Sequence, residues 1–309
     1  SIRRQRQMCI RDSSKTTYQY LKMFLKKGYV VKFLGDNFLH EEPYSTTLQQ
    51  MGIEVLYGDD YAAGIWDWLK TNGDEINYAY LNRPHIAAKY VDYIKDYTKM
   101  KVIYYGHDLH FLRLGREYEL TGDIHIKREA DYWKSVELTM MHKAAVSYYP
   151  SYVEINAIHA IDGSIHAKAI TAYVYDTFLS NIQDDFAKRE GLLFVGGFAH
   201  PPNADAVLWF AREIFPAIRK RIPGIRFYVV GSKVTGEIQA LGQEEGIVIK
   251  GFVSEEELKE LYSACKLVVV PLRYGAGVKG KVVEAIYHGA PIVTTSTGAE
   301  GIPLSLIHI

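Results

Sequence analysis

The sequence predicts an α/β protein of two doubly wound domains that face a cleft and are cut at both ends. Strand-length apolar runs alternate with helical patterns along the whole chain, which is how parallel sheets with crossover helices read. The pattern fades once, among polar residues between Tyr173 and Glu190. A chain of 309 residues with 48% apolar content is also more than one core usually holds.

The two ends are set aside first. Back-translating Met8–Asp12 and reverse-complementing the DNA gives, in a shifted frame, codons for Leu304–Ile309. One short element in opposite orientations therefore accounts for both ends, and it resembles a sequencing adapter. Residues 1–13 and 304–309 are excluded from fold reasoning on that ground. The expected division is an N-terminal domain over 14–175 that lacks its first strand, a linker over 176–190 and an incomplete C-terminal domain over 191–303.

Without Arg3, Arg4, Arg6, Arg11 and Asp12, the 36 basic and 36 acidic residues become 32 and 35, a charge of −3. That balance carries no nucleic-acid footprint. Cys265 is then the one cysteine left, which excludes an internal disulfide and fits a reducing, cytoplasmic setting. No apolar run approaches the ~18 residues of a membrane span. A leader ahead of residue 14 is left open.

The first half reads as a helix over Tyr18–Lys27, followed by strands at Val30–Leu34, Ile53–Tyr57, Ile76–Leu81, Val102–Tyr105 and Ala144–Tyr149. A long helical pattern between Arg116 and Lys143 carries both charge signs and reads as a solvated face. The first helix, YQYLKMFLKKGY, suits a core-facing crossover helix; peripheral contact with the inner membrane face is the rival reading.

The second half restarts with LLFVGG, a strand ending in glycines, and a helix over Asn203–Arg221 entered through Pro201 and Pro202. RFYVVGS and IVIKGFV are the next strands. Ser254 with Glu257 forms a capping box that opens a helix ending near Ala264. LVVVPL follows, and PIVTTST closes the described pattern.

Between those last two strands lies RYGAGVKGK, Arg273–Lys281. It sits at a strand's carboxyl end, where open α/β sheets bind ligands, and it leads into a helix whose first amides and dipole favour an anion. Gly275, Gly277 and Gly280 expose backbone, and Lys279 and Lys281 add charge, so a nucleoside diphosphate fits. The P-loop signature is not present, since Val282 stands where its serine or threonine would. The same residues also read as a plain turn followed by solvated lysines, and Glu284 as a helix-surface partner of Lys281.

Taken together, LLFVGG, PPNADAVLWF, VVGS, GFV and PLRYGAGVKGKVVEAIYHGAPIVTTSTGAEGI over Leu192–Ile302 resemble the donor-binding half of group 1, retaining glycosyltransferases. These have two Rossmann-like domains, the GT-B arrangement. The resemblance implies that Glu284 holds the donor ribose, that Lys279 and Lys281 face the diphosphate, and that Arg273 belongs to the same site. The chain departs from the family in two respects. Many members carry a glutamate where Ala276 stands, and an arginine and a lysine where this chain reads Gly197 and HPPN.

No Asp-x-Asp occurs in the chain. The resemblance implies no metal or other cofactor beyond the nucleotide-sugar co-substrate, fixed positive groups stabilising the leaving diphosphate instead. In the first half, GHDLHFLR resembles the acceptor side of the same family. That makes Asp108 and His110 the catalytic candidates, with Arg83 of LNRPH and Arg113 beside them. The alternative is a histidine tied to backbone and arginines in structural ion pairs.

The resemblance implies transfer of a sugar from a nucleotide sugar to a glycan or lipid-linked acceptor. Two other classes remain open at this stage: a nucleotide-sugar 2-epimerase of the same architecture, and a non-catalytic sugar-nucleotide-binding partner subunit, which Ala276 makes credible.

Overall fold

The computed structural model describes residues 12–175, 177, 179 and 186–302. Most of the expected linker and nearly all of the two adapter-like ends lie outside the described residues. The chain separates into two compact units.

The N-terminal unit holds α1 (Asp12–Lys26), β1 (Lys32–Leu34), α2 (Tyr44–Gln50), β2 (Glu54–Leu56), α3 (Asp59–Asn72), β3 (Tyr78–Asn82), α4 (Pro84–Tyr97) and β4 (Lys101–Tyr105). After β4 come α5 (His110–Thr121), α6 (Ile124–Lys143), β5 (Val146–Tyr149), α7 (Tyr152–Ile161) and β6 (Ala167–Ala169). Strands β3-β4-β5-β6 form one parallel sheet in that order, and β1 pairs with β2 in parallel. Helix α1 packs inward: Tyr20 and Leu21 are buried, and the Tyr20 ring meets Tyr80 and Tyr105 edge-on at 6.3 and 5.5 Å. Of the two readings of this helix, the core-facing one describes its buried face.

The long pattern expected over Arg116–Lys143 is two helices, parted at Gly122, whose φ is 70°. Its reading as a solvated face is corrected at Glu137, which is fully buried on α6. Strand β6 was not expected at all.

In the C-terminal unit the chain runs β7 (Leu192–Val195), α8 (Pro201–Trp209), α9 (Phe215–Arg221), β8 (Phe227–Val230), α10 (Gly236–Ala240) and β9 (Ile247–Gly251). It continues with α11 (Glu255–Ala264), β10 (Leu267–Val270), α12 (Gly280–Tyr287), β11 (Ile292–Thr294) and α13 (Ser296–Ala299). The single helix expected to Arg221 is interrupted by a π turn at Phe210–Ile214. Pro216 has no N–H to return to the preceding turn, and such widened turns relieve the misfit. The serine half of the expected capping box forms, with Glu257 N donating to Ser254 Oγ at 3.1 Å, while the Glu257 carboxylate pairs with Lys250 at 2.8 Å.

The five strands lie in the order β11-β10-β7-β8-β9, all parallel. The chain thus winds one way from β7 to β9 and the other way from β10 to β11, so the order reverses between β7 and β10. That is the doubly wound pattern, and its crevice lies beyond the carboxyl ends of those two strands. Beneath it, Leu193, Phe194, Val229, Val268 and Val270 build a fully buried core.

The units do not divide the chain as one contiguous domain after another. Residues 112–127 group with the C-terminal unit, and 128–174 return to the N-terminal one. The N-terminal domain expected over 14–175 is therefore interrupted. The physical reason is the set of bonds that Arg116 and Glu117 make, described below.

Candidate functional site

Two strand ends build the crevice of the C-terminal unit. Strand β7 runs out into Gly196 and Gly197, and β10 runs out into the loop that reaches α12. Lys281, in the first turn of α12, is only 9% exposed. Its ammonium donates to Asn203 Oδ1 and lies 4.8 Å from the centre of the Phe194 ring. Asn203 in turn donates from Nδ2 to the Gly197 carbonyl at 2.8 Å. The lysine and the asparagine therefore meet over the end of β7. A Cβ on Gly196 would stand 2.9 Å from Lys281 Nζ and 3.0 Å from the Asn203 amide, so the bare backbone is what lets them in. Gly231 is required for a similar reason: a Cβ there would fall 1.8 Å from the Gly196 carbonyl oxygen.

Lys279 is the N-cap residue of α12 and is also 9% exposed. Its ammonium donates to the Gly277 carbonyl and lies 3.8 Å from Glu300 Oε2. Gly277, with φ of 75°, turns the chain two residues before Lys279. The loop is held from α5. Arg116 Nη1 donates to the Gly275 carbonyl at 2.6 Å, and the Arg116 guanidinium grips Glu300 through both nitrogens at 2.7 and 2.6 Å. The Tyr274 hydroxyl donates to Glu117 at 3.1 Å; burial, and then the Glu117 charge, push that phenol up.

Glu284 stands one turn beyond Lys281, half-buried, with the Tyr262 hydroxyl 3.5 Å from its Oε2. Arg273 is placed differently from the lysines. It pairs with Asp205 through Nε at 2.9 Å and through Nη2, and it covers the Trp209 ring at 5.7 Å. The hydrogen bond to Asp205 raises its pKa. The structure thus brings Lys279, Lys281, Gly275 and Gly277 together and ties Arg273 to α8.

In the N-terminal unit the carboxyl ends of the neighbouring strands β3 and β4 carry the other candidates. Arg83 follows β3 in a left-handed conformation, φ 64°, and its N–H reaches the Tyr105 carbonyl at 3.3 Å. His107 stacks edge-on against Tyr105 at 4.7 Å. Burial first, and then the Arg83 charge, lower the His107 pKa to about 4, with Asp108 opposing the shift. His110 opens α5, its Nδ1 3.1 Å from Glu137 Oε1, with Trp133 alongside at 5.0 Å. The same carboxylate accepts the His110 and Phe111 amides at 3.0 and 3.1 Å. Arg83, His107, Asp108 and His110 are therefore one cluster. Arg113 lies in the part of α5 that groups with the C-terminal unit, where its charge acts on Tyr274.

Among the described residues, no three His, Cys, Asp or Glu side chains are placed to share a metal ion. No described helix is long and apolar enough to cross a membrane.

Four residues of these clusters were not anticipated as functional: Asn203, Arg116, Glu300 and Glu137. Asn203 had a signal. It lies in the HPPN segment that, with Gly197, occupies the places where a family arginine and lysine were missing, and it positions Lys281 there instead.

The doubly wound order, the crevice at its reversal and the buried lysines at the mouth of α12 agree with one family description. Residues 189–306 match the model of Glycosyl transferases group 1. A "44.6 kDa protein in cps region" of Klebsiella pneumoniae is 29% identical over 116 residues, 36% of this chain and 30% of that protein. TarM superposes with a TM-score of 0.57 at 13% identity, over 78% of this chain and 46% of TarM. A mutant of S. aureus TarM, in complex with Fondaparinux, alpha-GlcNAc-glycerol and UDP, gives 0.52 at 14%, over 75% of this chain and 44% of that one. The lipopolysaccharide outer core galactosyltransferase WaaB gives 0.52 at 11%, over 91% of this chain and 76% of WaaB. The chain thus spans under half the length of TarM and under a third of the Klebsiella relative. At these identities the structural likeness shows the GT-B glycosyltransferase fold. The group 1 match falls on the C-terminal unit, the part that carries the lysine loop.

Proposed function

We propose that this chain is a glycosyltransferase that binds a nucleotide sugar at the β7–β10 crevice and passes the sugar to a glycan or lipid-linked acceptor. The observation that carries the reading is Lys281: an ammonium taken out of water and held by a neutral amide and an aromatic face at the topological switch point. That ammonium stands at a place where α/β sheets bind ligands, and a diphosphate is an anion it can attract there. The group 1 match over the same residues supports this choice. So does a relative from a cps region, which favours a polysaccharide as the product.

In this reading Glu284 takes the ribose hydroxyls, one helical turn from the phosphates. Lys279, Lys281 and the positive end of α12 stabilise the charge that builds on the leaving diphosphate. No metal is needed for that step, and the anomeric configuration is retained. Asp108 and His110 serve the acceptor side. The leaving phosphate itself takes the acceptor proton, so no separate general base is assigned. Work in the cytoplasm, with peripheral contact to the inner membrane face, suits a lipid-linked acceptor.

A thermal-shift titration against UDP, GDP, ADP and dTDP, repeated with Glu284→Ala, tests the reading. It expects a shift selective for one base that the substitution abolishes. A cooperatively melting protein that no nucleotide shifts would sink it.

A further inference from the structure

A carboxylate beside an anion site is an electrostatic fault unless something corrects it. Glu300 is such a group: its Oε2 lies 3.8 Å from Lys279 Nζ, and its side chain is only 14% exposed. At that separation, and away from bulk water, the attraction is substantial. A diphosphate arriving at Lys279 would have to compete with Glu300 for the ammonium and would also be repelled by it.

Arg116 answers both problems. Its guanidinium takes both Glu300 oxygens at 2.7 and 2.6 Å, the planar fork geometry that Arg provides and Lys cannot. Lys279, Glu300 and Arg116 together then carry a net single positive charge rather than none. The same guanidinium also binds the Gly275 carbonyl at 2.6 Å. In a trans peptide the carbonyl and the following N–H point in opposite directions. Holding the Gly275 oxygen therefore commits the Ala276 N–H to the side away from Arg116. Both next-door residues join the same contact, through the Tyr274 hydroxyl on Glu117.

We propose that Arg116 is a positioning residue of the donor loop: it neutralises Glu300, so that Lys279 keeps its charge for a diphosphate, and it fixes the orientation of the Gly275–Ala276 peptide. The proposal rests on reading this loop as the diphosphate site, and it assigns to the loop a control that lies 159 residues away in sequence.

The test is calorimetric titration of the full chain with whichever of UDP, GDP, ADP and dTDP binds tightest. The chain is compared with Arg116→Ala, Arg116→Lys and the double variant Arg116→Ala/Glu300→Gln. Arg116→Ala should weaken binding at least tenfold, because it leaves the Glu300 charge uncorrected. The double variant should bind at least threefold tighter than Arg116→Ala, because the uncorrected charge is gone. A purely structural role predicts the reverse, a double variant no better than the single one, and that result would overturn the proposal. Binding by Arg116→Ala within twofold of the parent would overturn it too. Should Arg116→Ala fail to melt cooperatively, Arg116→Lys decides: it keeps the charge but loses the fork, and parent-like affinity would rule out the peptide-orienting role. A parent chain that binds none of the four nucleotides overturns the donor-site reading itself.

Discussion

Lys281 and Asn203, 78 residues apart, are joined by a hydrogen bond that crosses the end of β7. The bond sets an ammonium over the bare backbone of Gly196 and Gly197, and it makes the lysine part of the crevice rather than of the surface of α12.

Replacing Lys281 with Ala should lower sugar-transfer turnover by about 10²–10³, or about 2.7–4 kcal/mol, if its ammonium stabilises the departing diphosphate. The Asn203 oxygen would lose its donor, at about 1–3 kcal/mol of stability for a buried acceptor. Steady-state kinetics and urea unfolding separate the two effects. Unchanged turnover would rule out the phosphate role.

Gly196→Ala is the complementary change. Its new methyl group would sit 2.9 Å from Lys281 Nζ and 3.0 Å from the Asn203 amide. Both are ends of side chains that can swing aside, so stability should fall by less than the ~1–3 kcal/mol of a rigid overpacking. Nucleotide affinity should fall much more, since the ammonium has been moved. A variant that loses stability but keeps full affinity would contradict the site.

The half-buried His107 makes the N-terminal unit sensitive to acid. Its folded pKa of about 4 lies below the ~6.5 of an unfolded histidine. Between those values the unfolded chain binds the extra proton, so stability is complete above about pH 6.5 and is lost as pH falls towards 4, by up to about 3 kcal/mol. Urea midpoints at pH 7 and pH 4.5 should diverge less in His107→Gln than in the parent. Equal divergence would refute the assignment.

Glu137→Ala should remove the acceptor of the His110 and Phe111 amides at the start of α5. Two partly buried N–H groups would lose their partner, at about 1–3 kcal/mol for each that finds no replacement. The His110 ring would also lose its anchor at Nδ1. Nitrogen shifts of that imidazole should report a change in its tautomer balance. An unaltered spectrum would show that the carboxylate only caps the helix.

Much of the C-terminal unit is readable from sequence because its central strands are buried on both faces: β7, β8 and β10 appear as unbroken apolar runs, each ending in glycine or proline. The donor loop is readable for the same reason, lying directly after such a run. What could not be read depends on tertiary contact. Strand β6 is three residues, Ala-Lys-Ala, with no apolar run to mark it. Glu137 looks like any charged position on a helix surface, and only the fold reveals that α5 begins above it. Arg116 and Glu300 stand 184 residues apart, and no local pattern links them. Arg273 was read from a family motif, and no local pattern announces its partners Asp205 and Trp209 on α8.

Residues 112–127 leave the ribosome well before residues 175–302, with which they group. The C-terminal unit therefore cannot finish folding from its own contiguous stretch, although domains generally fold as units as they emerge. The early segment has to wait, with Arg116 and Glu117 unmatched, until Tyr274 and Glu300 have been made. An expression boundary drawn at residue 175 would consequently isolate a unit whose Glu300 carboxylate lacks Arg116 and keeps only Lys279. The two units of this chain are interleaved in the order of synthesis.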